Sequence, residues 1–214
     1  MRFLPGKTRQ PSAAPLHAAG ELELTPAMDR DHWWSRITEQ TRRRIAAEAG
    51  ATVRWWATDD YDNPRRPRGT VLGADALVVM DGAERLTVYR YVRRSLTEAR
   101  VRQRPSKAAP GDVVANPAAP VDLDLGLGES IRGFLGNLPA EAQQRMQQPF
   151  LDGDRIVHHE YFYYGNEEEM DVWCYLAGTA NITFLAGHRK ARRGAPPHAV
   201  TWDLTCYHAP LAQG

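Results

Sequence analysis

The sequence predicts an α+β protein in which a strongly curved antiparallel sheet, or a closed barrel, packs against a long N-terminal helix. Three observations favour this class: strand-like alternation over residues 155–208, apolar positions at helical spacing near the N-terminus, and a tight hairpin signal between the two. The order of a helix followed by strands occurs twice along the chain. Two fused helix-plus-sheet halves are therefore a second interpretation.

The composition is that of a globular protein, with 43% of the 214 residues hydrophobic and a net charge of +1. No apolar run is long enough to form a membrane-spanning helix, and the prolines near the N-terminus do not fit a secretory signal. Cys174 and Cys206 fall in predicted strands and lack the spacing of a zinc site. We therefore expect two buried free thiols in a cytoplasmic protein.

The two halves of the chain carry opposite charge. Residues 1–110 contain 20 Lys and Arg against 13 Asp and Glu, whereas residues 111–214 contain 7 against 13. Nearly all the cations are arginines. This excess suits recognition of a phosphate or an acidic partner, although a compositional bias would give the same count.

Composition shifts divide the chain into four segments. Residues 1–19 are expected to be a flexible leader, and residues 105–120, rich in Pro and Ala, a linker or surface excursion. Residues 20–104 form a helix plus a three-stranded antiparallel half. Residues 121–214 form a helix plus a four-stranded antiparallel half.

Helix and turn signals define the first half. Thr25 as the N-cap, Pro26 as the first helical residue and Gly50 after the end bracket a helix over residues 26–49. Strands are predicted at 52–58, 70–80 and 84–93, and Asp81-Gly82 joins the last two as a tight hairpin. The arginines that follow continue as a basic tail.

The pairing of the C-terminal strands can be predicted from charge. A two-residue turn would set Glu160 opposite Asp171, and like charges directly across a ladder are unfavourable. A four-residue turn at 165–168 instead sets Glu160 opposite Trp173 and His158 opposite Tyr175. Continuing this register sets Trp173 opposite Phe184, and Phe184 opposite Trp202.

This register gathers the predicted site on one face of the sheet. His158 and Glu160 stand two residues apart and are the candidate acid–base pair, because aromatic surroundings would raise the pKa of the glutamate. A buried His–Glu hydrogen bond without any catalytic role is the alternative. The candidate ligand-binding residues are Tyr164, Trp173, Tyr175, Phe184 and Trp202.

No metal site and no cofactor are predicted. His208 is the third side chain that a metal would need beside His158 and Glu160, but it lies three strands away in this register, farther than ligands of one ion can be. Nucleotide-binding and common hydrolase motifs are missing from the sequence.

Two functions remain open. The first is a protein that binds a small apolar or aromatic molecule, or a cofactor-independent isomerase- or cyclase-like enzyme with an aromatic pocket in the curved sheet. The second is an arginine-rich interaction module that binds nucleic acid or an acidic protein, or a subunit of an assembly. Paired tryptophans would equally support a homodimer. The candidate polyanion-binding residues are Arg65, Arg66, Arg68, Arg189, Lys190, Arg192 and Arg193.

Overall fold

The structure is a computed structural model that describes residues 10–15, 37–50, 52–58, 68–82, 85–105, 127–166, 168–191 and 200–213; of residues 10–15, 52 and 58 it describes the backbone alone. It confirms an α+β architecture with antiparallel sheets. The chain forms two compact units that divide between Leu96 and Thr97. None of the helices in these residues is long and apolar enough to cross a membrane.

The first unit contains an antiparallel sheet whose neighbouring strands follow chain order. Its strands are β1 (Gln10–Pro15), β2 (Thr52–Thr58), β3 (Arg68–Gly73), β4 (Ala76–Asp81) and β5 (Arg85–Arg90). Strand β1 lies inside the segment that was expected to be a flexible leader. Its prolines are tolerated because β1 is at the sheet edge, where one side of the backbone needs no ladder partner.

Among the described residues of this unit, a short helix packs on the sheet. Helix α1 (Glu39–Ala49) buries Ile45 and Ala49 against Trp56, Val78 and Met80. The neighbouring Trp55 is also buried, but it pairs with Leu72 and lies on the other face of the sheet. The two tryptophans therefore point to opposite faces, as alternation along a strand requires.

The predicted helix over residues 26–49 is wrong in its length. Thr38 has an extended backbone (ψ 153°), and its side chain accepts a hydrogen bond from the Thr41 N–H at 3.2 Å, so Thr38 is the N-cap of α1. A continuous helix through Thr38 is excluded. Residues 26–36 and the predicted cap Thr25 lie outside the described residues. The predicted end at Gly50 is confirmed by its positive φ of 89°.

The predicted strand over residues 70–80 is two strands joined by a turn at 74–75. The turn docks on the end of α1, where the Asp75 N–H donates to the Ala49 carbonyl at 3.0 Å. Gly73 allows this approach, because a Cβ at that position would lie 1.9 Å from the Ala49 oxygen. The Asp81-Gly82 hairpin is confirmed, and Asp81 pairs with Arg85.

Within its described residues, the second unit contains a five-stranded antiparallel sheet and two helices. Strand β6 (Thr97–Gln103) precedes α2 (Glu129–Gly136) and α3 (Ala140–Leu151), and a four-stranded meander follows. The meander consists of β7 (Ile156–Gly165), β8 (Glu169–Gly178), β9 (Asn181–Lys190) and β10 (Thr201–Pro210). The spatial order is β6-β10-β9-β8-β7, so the segment expected as a basic tail of the first half is an edge strand here.

Neither sheet is closed or strongly curled, so the barrel and the strong curvature are not found. Each unit has the order strand, helix, strands, but the first strand joins a different edge. Strand β1 pairs with β2, the strand that follows the helix, whereas β6 pairs with β10, the last strand. The two units therefore share an order of elements and differ in topology.

The predicted register of the C-terminal strands is wrong. Glu160 pairs with Tyr175, Phe162 with Trp173, and Tyr175 with Phe184, each displaced by two residues from the prediction. The first turn does contain four residues, but it begins one residue later, because Gly165 (φ 130°) takes the last ladder position. Asn166 then accepts hydrogen bonds from the N–H groups of Glu168 and Glu169.

The displacement between β9 and β10 is odd and therefore moves side chains to the other face. Phe184 pairs with Tyr207, and Trp202 pairs with Arg189. We call the side of the sheet that carries Phe162, Trp173, Tyr175, Phe184 and Tyr207 the aromatic face. The opposite side, which we call the helix face, packs against α2 and α3 through Val172, Cys174, Leu176, Leu185, Trp202, Leu204 and Cys206.

Candidate functional site

The predicted acid–base pair lies on edge strand β7, beside a buried tyrosine. The Tyr175 hydroxyl is 3.3 Å from His158 Nδ1 and 3.5 Å from Glu160 Oε2, so it can hydrogen-bond to both. Burial and the neighbouring His159 lower the pKa of His158, which favours the neutral imidazole. Tyr175 itself is 0% exposed, so a substrate could reach only the histidine and the glutamate.

The predicted ligand-binding aromatics are stacked on one another. The Trp173 ring centroid is 6.5 Å from those of both Tyr175 and Phe184, with interplanar angles of 7° and 13°. Each of the three side chains is at most 2% exposed. Contact with a ligand would require these side chains to move.

The two remaining aromatic candidates lie apart from this stack. Tyr164 lies near the end of β7 and pairs with Asp171, which hydrogen-bonds to His188 on the next strand. Trp202 lies on the helix face, not beside Phe184 as predicted. The long connection between β9 and β10 left that register unconstrained by turn chemistry, which is why the prediction failed.

Two described members of the predicted polyanion-binding set are paired with carboxylates. Arg68 donates to Asp81 at 3.3 Å, and Lys190 lies 2.7 Å from Glu169. Arg189 pairs with Trp202 and Met170 in the second sheet. The remaining predicted members, Arg65, Arg66, Arg192 and Arg193, lie outside the described residues.

An open cavity of about 1070 Å³ lies on the helix face of the second unit, between α3 and the β6–β10 edge. One wall is a stripe of side chains along α3 and the residue after it, spaced so that they share one side of the helix: Glu141, Gln144, Arg145, Gln148 and Asp152. Ala99 and Cys206, a directly opposed pair on β6 and β10, form the floor. Residues 153–154 and 179–181 close one end with His208.

The Asp154 carboxylate connects the residues at that end of the cavity through hydrogen bonds. Its carboxylate accepts five hydrogen bonds: from the N–H groups of Thr179, Ala180 and Asn181, the Thr179 hydroxyl and the Asn181 amide, at 2.6–3.1 Å. Although burial opposes ionisation, these hydrogen bonds lower the pKa of Asp154 overall. The side chain therefore carries a negative charge and fixes the β8–β9 turn against the end of α3.

The same network orients His208. Because a carboxylate only accepts, the Asn181 amide must present its nitrogen to Asp154 and its oxygen to His208. The Nε2 of His208, 3.2 Å from that oxygen, is therefore the protonated nitrogen. Burial lowers the pKa of His208, so the ring is held neutral.

The cavity is not built for thiol chemistry. Burial raises the pKa of Cys206 to about 12, whereas a nucleophilic cysteine needs its thiolate. Cys174 is also a free buried thiol, as predicted, and it lies two strands away on β8. In the described part of the chain, no three His, Cys, Asp or Glu side chains are grouped so that they could hold a metal ion.

Sequence reasoning missed this cavity. The signal was present in the stretch from 141 to 154, where polar residues recur at helical spacing, Pro149 lies near the end of the helix, and Asp152-Gly153-Asp154 follows it. Searches with protein-family models, among curated proteins and among solved structures found no match to this chain.

Proposed function

We propose that the protein binds a small molecule in the cavity between α3 and the β6–β10 edge. The observation that supports this proposal is the size and lining of the cavity. Its volume of about 1070 Å³ lies just above the range for small-molecule sites, roughly 300–1,000 Å³, so a small molecule fits inside it. The lining combines an apolar floor with many polar groups, and hydrogen bonds fix those at the Asp154 end. Polar groups held in this way orient a ligand in small-molecule sites.

The aromatic face has less support as the ligand site. Trp173, Tyr175 and Phe184 are stacked and almost fully buried in the folded protein, so no ligand is needed to cover them. The cavity needs no such rearrangement. Its floor residue Ala99 is partly exposed, and the facing helix stripe is exposed to solvent.

The interaction-module hypothesis also has less support. Two described arginines outside the predicted set are paired with carboxylates, as the predicted members Arg68 and Lys190 are. Arg90 bonds to Glu48, and Arg100 donates two hydrogen bonds to Asp203 at 2.9 and 3.0 Å. A polyanion would have to compete with these local partners.

The proposal is tested by thermal-shift and NMR screening of a chemically diverse fragment library, followed by a variant that fills the cavity. Ala99→Phe places a phenyl ring on the floor and is expected to abolish the shift caused by a hit. Thr87→Phe introduces the same group at an exposed position of β5 in the first unit and serves as the control. Binding that survives Ala99→Phe, or a screen without any hit, contradicts the proposal.

A further inference from the structure

The two ends of α3 present different charge to the cavity. Near the N-terminal end, Arg145 donates to the Glu141 carboxylate at 2.8 and 3.0 Å, so these two charges compensate each other. Near the C-terminal end, Asp152 and Asp154 follow the helix, and its last turn contains no basic residue. Glu141 and Asp152 are separated by about 16 Å along the helix axis. The uncompensated negative charge is therefore concentrated at one end.

The backbone adds acceptors at the same end. The C-terminus of a helix carries about half a negative charge on its unsatisfied carbonyl groups. In addition, Pro149 has no N–H, so the carbonyl of Arg145, four residues earlier, cannot receive its helical hydrogen bond. Both Pro149 and Arg145 line the cavity. The backbone therefore adds acceptors to a wall whose Gln144, Arg145 and Gln148 side chains also carry donors.

The acidic side chains have different availability. Asp154 uses both oxygens on the β8–β9 turn and contributes charge without a free lone pair. Asp152 is exposed at the helix end and can turn toward a ligand. Glu98 also borders the cavity, but its position opposite Tyr207 turns its side chain to the aromatic face, so its charge lies on the other side of the sheet.

On the basis of the proposed function, we infer that the ligand of this cavity is a small organic cation, an amine or guanidinium group on an apolar carbon chain. The cationic group lies at the C-terminal end of α3, against Asp152 and the last carbonyls of the helix. The carbon chain lies over Ala99 and Cys206. An ammonium group supplies three donors and a guanidinium group five, which suit the Asp152 carboxylate and these carbonyl acceptors.

The test compares three probes that share one carbon chain: hexylammonium, hexanoate and hexanol, each titrated into the full chain and followed by NMR. Hexylammonium is expected to bind most tightly, and its affinity should fall as the salt concentration rises, because the Debye length shortens. Hexanoate is expected to bind most weakly, since it meets the same negative field.

Three single variants then test which side chains supply the charge that binds hexylammonium. Asp152→Asn is expected to weaken hexylammonium binding by about twofold to fivefold, and Arg145→Gln to strengthen it by a similar factor, because it leaves Glu141 uncompensated. Glu129→Gln removes a carboxylate on α2 that is exposed and does not border the cavity. It should leave the affinity unchanged.

The outcomes separate this inference from the proposed function. If hexanoate or hexanol binds as tightly as hexylammonium and Ala99→Phe abolishes that binding, the cation is refuted while the cavity remains a ligand site. The inference also fails if hexylammonium binds without any response to salt, Asp152→Asn and Arg145→Gln. If no probe and no library fragment binds, both ideas fall together.

Discussion

Asp154→Asn should be the most destabilising single charge change in the second unit that keeps side-chain size. The substitution exchanges a carboxylate that accepts five hydrogen bonds for an amide whose NH₂ faces donors. A net contribution near 1 kcal/mol for each bond, reduced because the site is partly exposed and the bonds are not additive, gives a loss of roughly 2–4 kcal/mol. The expected fall in Tm is about 5–15 °C.

Urea denaturation at several pH values measures this contribution. Because the pKa of Asp154 is lower in the folded protein, protons bind preferentially to the unfolded chain. The stabilisation is therefore complete above the ordinary aspartate pKa and is lost as the pH falls through the folded pKa. Asp154→Asn should remove that part of the acid dependence.

Asp152→Asn is the matched control, because it makes the same change two residues earlier, at an exposed side chain. It should cost less than about 0.5 kcal/mol. If Asp154→Asn is as stable as Asp152→Asn at neutral pH, the carboxylate does not hold the turn.

Two further predictions concern the backbone and the histidines. Gly73→Ala should cost more than about 3 kcal/mol or prevent folding, because its Cβ would lie 1.9 Å from the Ala49 oxygen. Gly133→Ala meets nothing within 4 Å and should stabilise α2 by about 0.5–1 kcal/mol. The midpoints of urea denaturation measure both changes, and shifts of the same sign for the two variants would contradict this packing. Burial lowers the pKa values of His158 and His208, so in NMR titrations both should titrate at a lower pH than a histidine in the unfolded chain. The free energy of unfolding should therefore decrease as the pH falls below the pKa of an unfolded histidine. A raised pKa for either histidine would contradict its buried environment.

Features that depend on local chemistry could be predicted from the sequence. The Asp81-Gly82 hairpin, the end of α1 at Gly50 and the opposite directions of Trp55 and Trp56 each follow from one or two residues. The α+β class follows from the two periodicities. Thr38 could also have been recognised as the N-cap of α1, but apolar positions at helical spacing continue on both sides of it and favoured a longer helix.

Features that depend on distant partners could not be predicted. The β8–β9 turn is held by Asp154, 25 residues before Thr179, so turn residues alone do not set its register. The position of β6 depends on pairing with β10 across more than a hundred residues. For the same reason, Trp202 lies on the helix face and not on the face where the site was predicted.

The cavity itself is a product of that topology. Strand β6 adds a fifth strand beyond the edge of the meander, and α3 contacts β9 and β10, so a space remains between the helix and β6. The polar side of α3 could be recognised in the sequence, but the strand that it faces could not. The polar side of α3 could be identified as a cavity wall only from the position of β6 in the structure.

The most direct test of the account is the map of amide shift changes that hexylammonium causes in ¹⁵N-labelled protein. We expect the changes to centre on residues 97–99, 145–154, 179–181 and 206–208, the segments that border the cavity. Changes centred instead on residues 158–164 and 171–175 would place the ligand at the aromatic face and contradict the account.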